Sequence, residues 1–401
     1  MTSLQAEYRG KQQRNNQVQS EQSPSRIGNV EALFKLQLHF LFCISRSGST
    51  LIHGLLNDHS EIIQHPSFIK YYNFAASHPE LLTISPDEIA KKFCSFPAHE
   101  VLFRPETGLH FEGRLGCSDD TKAEIDKRDF SKLFTYLLGK RQITHETILK
   151  GILAAFSWCL GQDLTEAKVF LCEIHHGDWL WASQEKERYN LNPPPQHDGI
   201  DLIKPDGVIF TVRHPVETIH SLEKIVSHSI PDPKGLELTF QTYLRLLAQD
   251  WDRIDKLETS GIRYLPVPLE QVRCDREVVL TKITNFLDVS STDTALKSVT
   301  AFRLAWYGDS FSIRTDQPHK QQPLRPMALF NSDHAFLRLM VRSRIEYFGY
   351  SGPYPQWVYR AFDWLALFLG PIDRQYWHVG LKEYLDSIKK KLRLLLKAKD
   401  L

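Results

Sequence analysis

The sequence predicts an α/β protein with three layers, helices on both faces of a central parallel sheet. Three observations predict it. Short apolar runs at 38–44, 167–172 and 207–212 lack the in–out alternation of a half-exposed strand, which suits strands buried on both faces. Segments with helical spacing alternate with these runs, as in βαβ units. The first run also passes into a helix through a tight turn of small residues, Ser45-Arg46-Ser47-Gly48-Ser49.

In chain order, residues 1–35 form a polar leader whose first 26 residues are rich in Gln, Asn and Ser and carry no periodicity, the composition of disorder. Leu38–Ile44 is the first strand, and Thr50–Asn57 follows as a helix with Leu51, Leu55 and Leu56 on one face. Residues 68–165 read as mostly helical, with clear segments at Asp87–Phe93 and Phe130–Leu138. Ala167–Cys172 is the second strand of the series, and Pro193-Pro194-Pro195 marks a loop or insertion. Gly207–Val212 is the third; it stops at Arg213-His214, and Pro215 suits the first position of a new helix. A long helix is expected around Leu236–Leu257, a strand at Arg263–Val267 and a helix over Arg276–Leu287. A main domain over 36–350 and a helical extension over 351–401 complete the division.

Composition narrows the function. The 401 residues carry 49 Lys+Arg against 48 Asp+Glu, a formal net charge of +1, so no broad positive field exists to attract nucleic acid. An anionic ligand must be caught by a few placed groups. The six cysteines are scattered, without CxxC or a Cys/His spacing of zinc type, so no metal is expected. No secretory h-region and no run of 18 apolar residues is present, and a cytoplasmic protein is expected.

The turn at 45–50 has the chemistry of an anion cradle. Helix-terminal N–H groups lack intrahelical partners, and the helix dipole adds partial positive charge. Gly48 permits the backbone to aim successive N–H groups at one oxyanion. Ser47, Ser49 and Thr50 offer hydroxyls and Arg46 a charged fork. An ordinary turn with Ser and Thr capping the helix fits the same letters. A Walker A loop does not: Cys43 stands at its first Gly and Ser49 at its Lys. A second anchor follows the third strand, where Arg213 and Ser221 are placed to hold a separate phosphate.

These residues resemble the sulfotransferase family. Ile44-Ser45-Arg46-Ser47-Gly48-Ser49-Thr50-Leu51 is similar to its 5′-phosphosulfate loop, and Arg213-His214-Pro215 with Ser221 to its 3′-phosphate element. Tyr264–Val272 and Ile283–Val289 resemble its strand, YEDL-like turn and helix ending in FLG, and Ile345–Tyr350 its closing FGY. Arg46 in place of Lys suits the bacterial and tyrosylprotein-type branches, whereas Cys43-Ile44-Ser45 and Asp288 depart from the family pattern.

The resemblance implies a P-loop-like three-layer α/β/α fold and 3′-phosphoadenosine 5′-phosphosulfate (PAPS) as co-substrate, without a metal. Residues 46–50 would hold the 5′-phosphosulfate, with Arg46 stabilising the leaving phosphate, while Arg213 and Ser221 would hold the 3′-phosphate. For the general base, His175 stands at the matching position after the strand at 167–172, and His65 and His176 are alternatives. The acceptor is expected to be a small molecule, carbohydrate or lipid-like compound.

Two competing readings stay open: a P-loop-type nucleotide kinase or other phosphotransferase, and a non-catalytic nucleotide-binding module. Glu270 reads as a turn carboxylate bonding nearby backbone, His53 and His59 as helix-flanking residues without a role, and Trp306–Lys320 with Arg325 as a solvated loop. At the C-terminus Leu381, Leu385, Ile388, Leu392 and Leu395 share a helical face, with Lys389–Lys391, Arg393, Lys397 and Lys399 beside it. Such a helix suits an anionic membrane surface, or packing on the domain or on a second subunit.

Overall fold

The structure, a computed structural model, describes residues 27–43, 47–65, 69–104, 125–139, 141–174, 202–214, 217–218, 221, 257, 259–291, 300–301, 304–305, 332–348 and 355–369, with single positions between 386 and 396. The leader at 1–26, the proline run at 193–195, the helix expected over 236–256 and the loop at 306–325 lie outside them.

After a short helix α1 (Val30–Phe34), strand β1 (Gln37–Cys43) leads into helix α2 (Ser49–Leu56), and the two-residue strand β2 (Ile62–Ile63) follows. Helices α3 (Tyr71–Ser77), α4 (Pro86–Ser95), α5 (Glu100–Phe103), α6 (Lys127–Leu138) and α7 (His145–Cys159) come before β3 (Val169–Ile174). Then come β4 (Gly207–Val212), β5 (Arg263–Pro268), α8 (Leu269–Cys274) and α9 (Arg276–Leu287). A small antiparallel pair, β6 (Thr300–Ala301) and β7 (Leu304–Ala305), precedes α10 (Ser332–Tyr347) and α11 (Gln356–Leu369).

Strands β2-β3-β1-β4-β5 form one parallel sheet in that spatial order. The pleat divides its side chains between two cores. Phe40, Phe42, Phe170, Cys172, Val208 and Phe210 face the larger one, packed with Phe93 of α4, Phe130 of α6 and Phe156 of α7. Leu41, Val169, Leu171 and Ile209 face the other, against Ile52 and Leu55 of α2 and Ile283 of α9. The expected three-layer α/β fold is therefore present.

Local signals account for the helix limits. Ser85 and Glu88 form a capping box with Pro86 at the first position of α4, and Thr144 with Thr147 does the same for α7. At the end of α9, Asp288 adopts φ 56° and ψ 44°, the left-handed conformation that closes a helix and is cheapest for glycine. The glycine of the FLG pattern is explained by this geometry, and here Asp takes it.

Two expectations are corrected. The third strand of the sheet in sequence, β3, runs two residues later than 167–172, ending at Ile174, because Glu173 and Ile174 are buried and paired with β1. The YEDL-like segment is no turn: Pro268 ends β5 and at once caps α8.

Candidate active site

The strand order reverses between the parallel neighbours β1 and β4. The connection leaving β1 runs toward β2 on one side, and that leaving β4 runs toward β5 on the other. In parallel sheets the crevice outside the strand ends at such a point is where ligands bind. β1 and β4 pair from His39↔Gly207 to Cys43↔Thr211, so both exits open side by side. Gly207 permits the close pairing, since a Cβ there would stand 2.8 Å from His39 Nδ1.

At the β1 exit, Ser47 is buried and its Oγ lies 2.6 Å from Thr211 Oγ1 on β4. Thr211 in turn reaches the Phe42 carbonyl at 3.4 Å. With Thr211 donating to that carbonyl, the Ser47 proton is directed to Thr211, and the hydroxyl laces the loop to β4. Gly48 follows as the residue preceding α2, at φ 88° and ψ 20°. Among the described residues no side chain caps this helix. The N–H groups of Leu51 and Ile52 return to the Gly48 carbonyl at 3.0 and 3.2 Å, which leaves those of Ser49 and Thr50 to head the helix without a side-chain cap. Below the turn, a Cβ on Gly48 would stand 2.4 Å from Leu269 Cδ1. Position 48 is thus restricted to glycine twice over, by φ and by space. Ser49, at the place of a Walker lysine, is buried.

At the β4 exit, Arg213 is mostly buried and its guanidinium stands 3.4 Å from Glu217 Oε2, one helical turn on. Thr218 N–H donates to the His214 carbonyl at 2.9 Å, a helical turn directly after the strand, and Ser221 is half-buried in the same stretch. Pro215 itself lies outside the described residues. The His214 N–H donates to Glu270 Oε1 at 2.9 Å. Glu270 therefore bonds backbone as expected, although the backbone belongs to a strand exit 56 residues away and not to its own turn. Burial lowers His214 to about 4, opposed by Glu217 and aided by His334 and Arg213, so its ring is neutral near pH 7.

The sequence reading missed one pair entirely. His53 on α2 points its Nδ1 at Glu173 Oε2 on β3, 2.8 Å away, with both side chains 2% exposed. The signal was available: Val169 and Leu171 place alternate β3 residues against α2, so Glu173 falls on a buried face, where a carboxylate needs a partner. His59, also assigned no role, is buried with Nε2 2.8 Å from the Ser290 carbonyl.

Of the expected site residues, Ser47, Gly48, Ser49 and Thr50 stand at the β1 exit and Arg213 at the β4 exit, with Ser221 half-buried further along the chain. Arg46, His175 and His176 lie outside the described residues. His65 follows the edge strand β2, buried, its ring 4.3 Å from that of Phe156 in an edge-on contact. Among the described residues no group of three or more His, Cys, Asp or Glu is placed to hold a metal ion. Nor is any helix among them long and apolar enough to cross a membrane.

No known protein family's sequence profile matches the chain, and no curated protein matches it. Two solved structures are similar in part. One is the sulfotransferase domain of the Synechococcus PCC 7002 olefin synthase, at 18% identity and TM-score 0.37, covering 79% of this chain and 95% of that one. The other is the sulfotransferase STF9 from Mycobacterium avium, at 12% identity and TM-score 0.35, covering 76% of each chain. At such scores the two likenesses carry no weight for function.

Proposed function

We propose that the chain is a sulfotransferase that moves a sulfuryl group from PAPS to a hydroxyl or amine of an acceptor of small-molecule, carbohydrate or lipid-like type. The observation that carries this reading is the juxtaposition, at the reversal point of the strand order, of two elements suited to hold anions. One is the α2 N-terminus behind Gly48; the other is Arg213 at the neighbouring strand exit. A donor with a phosphosulfate at one end and a 3′-phosphate at the other presents two matching anions. A kinase reading needs a lysine where the buried Ser49 stands, and leaves Arg213 and Ser221 without a task.

In this reading the bond from sulfur to the bridging phosphate oxygen breaks as the acceptor oxygen or nitrogen bonds to sulfur. Adenosine 3′,5′-bisphosphate leaves, and the acceptor proton passes to a base, His175 before His65. Arg46 and the Ser49 and Thr50 amides stabilise the charge gathering on the leaving phosphate. The free thiols of Cys94, Cys159, Cys172 and Cys274 suit a cytoplasmic setting.

The test is transfer of labelled sulfate from PAPS across a broad acceptor panel, with wild type and Arg46→Ala compared. Turnover lost in a folded Arg46→Ala variant is the expected result. Bisphosphate binding with no turnover on any acceptor would instead make the chain a binding module.

A further inference from the structure

Two helices end at one place in the fold, beside the edge strand β2. α2 stops at Leu56 and α7 at Cys159, and Asp58 after the first and Leu160 after the second line a cavity of about 280 Å³. A helix C-terminus carries partial negative charge, so both helices contribute negative potential here. Asp163 and Glu166, both exposed, also line the cavity, which gives its lining three carboxylates. Among the described residues that line it there is no Lys, Arg or His. The nearest lysine in sequence, Lys168, is engaged by Glu61 at 2.7 Å.

A second observation is independent of charge. Gln64, directly after β2, lines the same cavity and is 3% exposed. Its Nε2 donates to the His53 carbonyl of α2 at 3.2 Å, and its backbone carbonyl accepts from Ser157 Oγ of α7 at 3.1 Å. Its Oε1 has no partner. With Nε2 bound to α2, the other end of the amide is presented to the cavity, and a buried acceptor left unsatisfied is costly until a donor arrives. The carboxylates and helix ends select a cationic donor, and an ammonium group brings three N–H donors with its charge. Among the described residues no group of three or more His, Cys, Asp or Glu is placed to hold a metal ion, so the set suits an organic cation. The volume is several times the ~30 Å³ of one liquid water, which is room for a short chain, and Leu160 offers that chain an apolar contact.

We propose that this cavity binds a small aliphatic amine, its ammonium group donating to Gln64 Oε1 and its charge balanced by Asp58, Asp163 and Glu166. The cavity lies at the opposite end of α2 from Gly48, and amine binding involves no nucleotide, so this proposal stands or falls separately from sulfuryl transfer.

The test is calorimetric titration of the full chain with 1,4-diaminobutane and, separately, with magnesium chloride, at ~0.15 M salt. Saturable one-to-one binding of the diamine, and much weaker binding of Mg²⁺, is expected. Asp163→Asn with Glu166→Gln should lower affinity for the diamine at least about tenfold, since charge-assisted hydrogen bonds are the stronger ones. Both side chains are exposed, and Asn keeps an oxygen for the Thr165 N–H that Asp163 Oδ1 accepts at 3.0 Å, so the melting midpoint should not move. Gln64→Met, similar in shape but without the carbonyl, should lower affinity by a similar factor. Should that variant misfold, the exposed pair alone decides. No saturable binding of the diamine, or binding indifferent to the Asp163 and Glu166 replacements, would overturn the proposal. So would full affinity in a folded Gln64→Met variant, or Mg²⁺ bound as tightly as the diamine.

Discussion

His53 Nδ1 and Glu173 Oε2 meet at 2.8 Å between helix α2 and strand β3, each side chain 2% exposed. The helix whose N-terminus heads the proposed phosphosulfate site is thus tied to the strand that runs directly into His175. Removing one partner of a buried hydrogen-bonded pair leaves the other's polar atom unsatisfied, which costs about 1–3 kcal/mol, whereas replacing both by apolar groups is often nearly neutral. Glu173→Ala should therefore lower stability in urea unfolding by that amount, and Glu173→Leu with His53→Leu should recover most of it. Equal losses in the single and double variants would show that the pair is not coupled.

Gly48 is restricted both by φ 88° and by the 2.4 Å approach of Leu269 Cδ1 to any added Cβ. Gly48→Ala should weaken bisphosphate binding at least about tenfold and lower stability by about 1–2 kcal/mol, the cost of a left-handed non-glycine residue plus the clash. Adding Leu269→Ala removes the clash and leaves φ, so calorimetric titration should show partial recovery only. Full recovery would mean that space alone governs the position.

Asp288 holds the left-handed position at the end of α9, at φ 56°. Asp288→Gly should raise stability by about 1 kcal/mol, read as a higher urea midpoint. An unchanged or lower midpoint contradicts the strain argument.

Burial is the leading cause that lowers His39 to about 4, His99 to about 3 and His214 to about 4. Unfolded, these rings titrate near 6.5, so between pH 6.5 and about 4 the unfolded chain binds more protons. Stability should be complete above pH 6.5 and fall as pH drops through that window. The loss is about 3 kcal/mol for each of His39 and His214 by pH 4. Urea unfolding at pH 7, 5.5 and 4 checks this, and a flat profile would contradict it.

Arg213 should contribute a charge-assisted contact to a bound 3′-phosphate, worth about 1.5–3 kcal/mol. Arg213→Ala is expected to weaken adenosine 3′,5′-bisphosphate roughly 10- to 100-fold while adenosine 5′-phosphate, which lacks the 3′-phosphate, changes little. An equal loss for both would remove Arg213 from the 3′ side.

What the sequence revealed was what local patterns encode. The runs at 38–44 and 207–212 announced β1 and β4 because uninterrupted apolar strands are buried on both faces, and Arg276–Leu287 matched α9 end to end. Gly48 was legible because a turn between buried strand and helix needs its φ. Long-range contacts were not: Ser47 with Thr211 is separated by 164 positions, and His214 with Glu270 by 56. Such partners follow from the order β3-β1-β4-β5, which no local spacing records. His53 and Glu173 fall between these cases. The alternation on β3 flagged the carboxylate, but only the packing of α2 named its partner.

The exits of β1 and β4 are proposed to form a site for a nucleotide with anions at both its 3′ and 5′ positions. Thermal unfolding with adenosine 3′,5′-bisphosphate, ATP or GTP tests it most directly, because a ligand bound by the native state raises the midpoint. Marked stabilisation by the bisphosphate and little by ATP or GTP is the predicted result. Stabilisation by ATP or GTP alone would contradict the account.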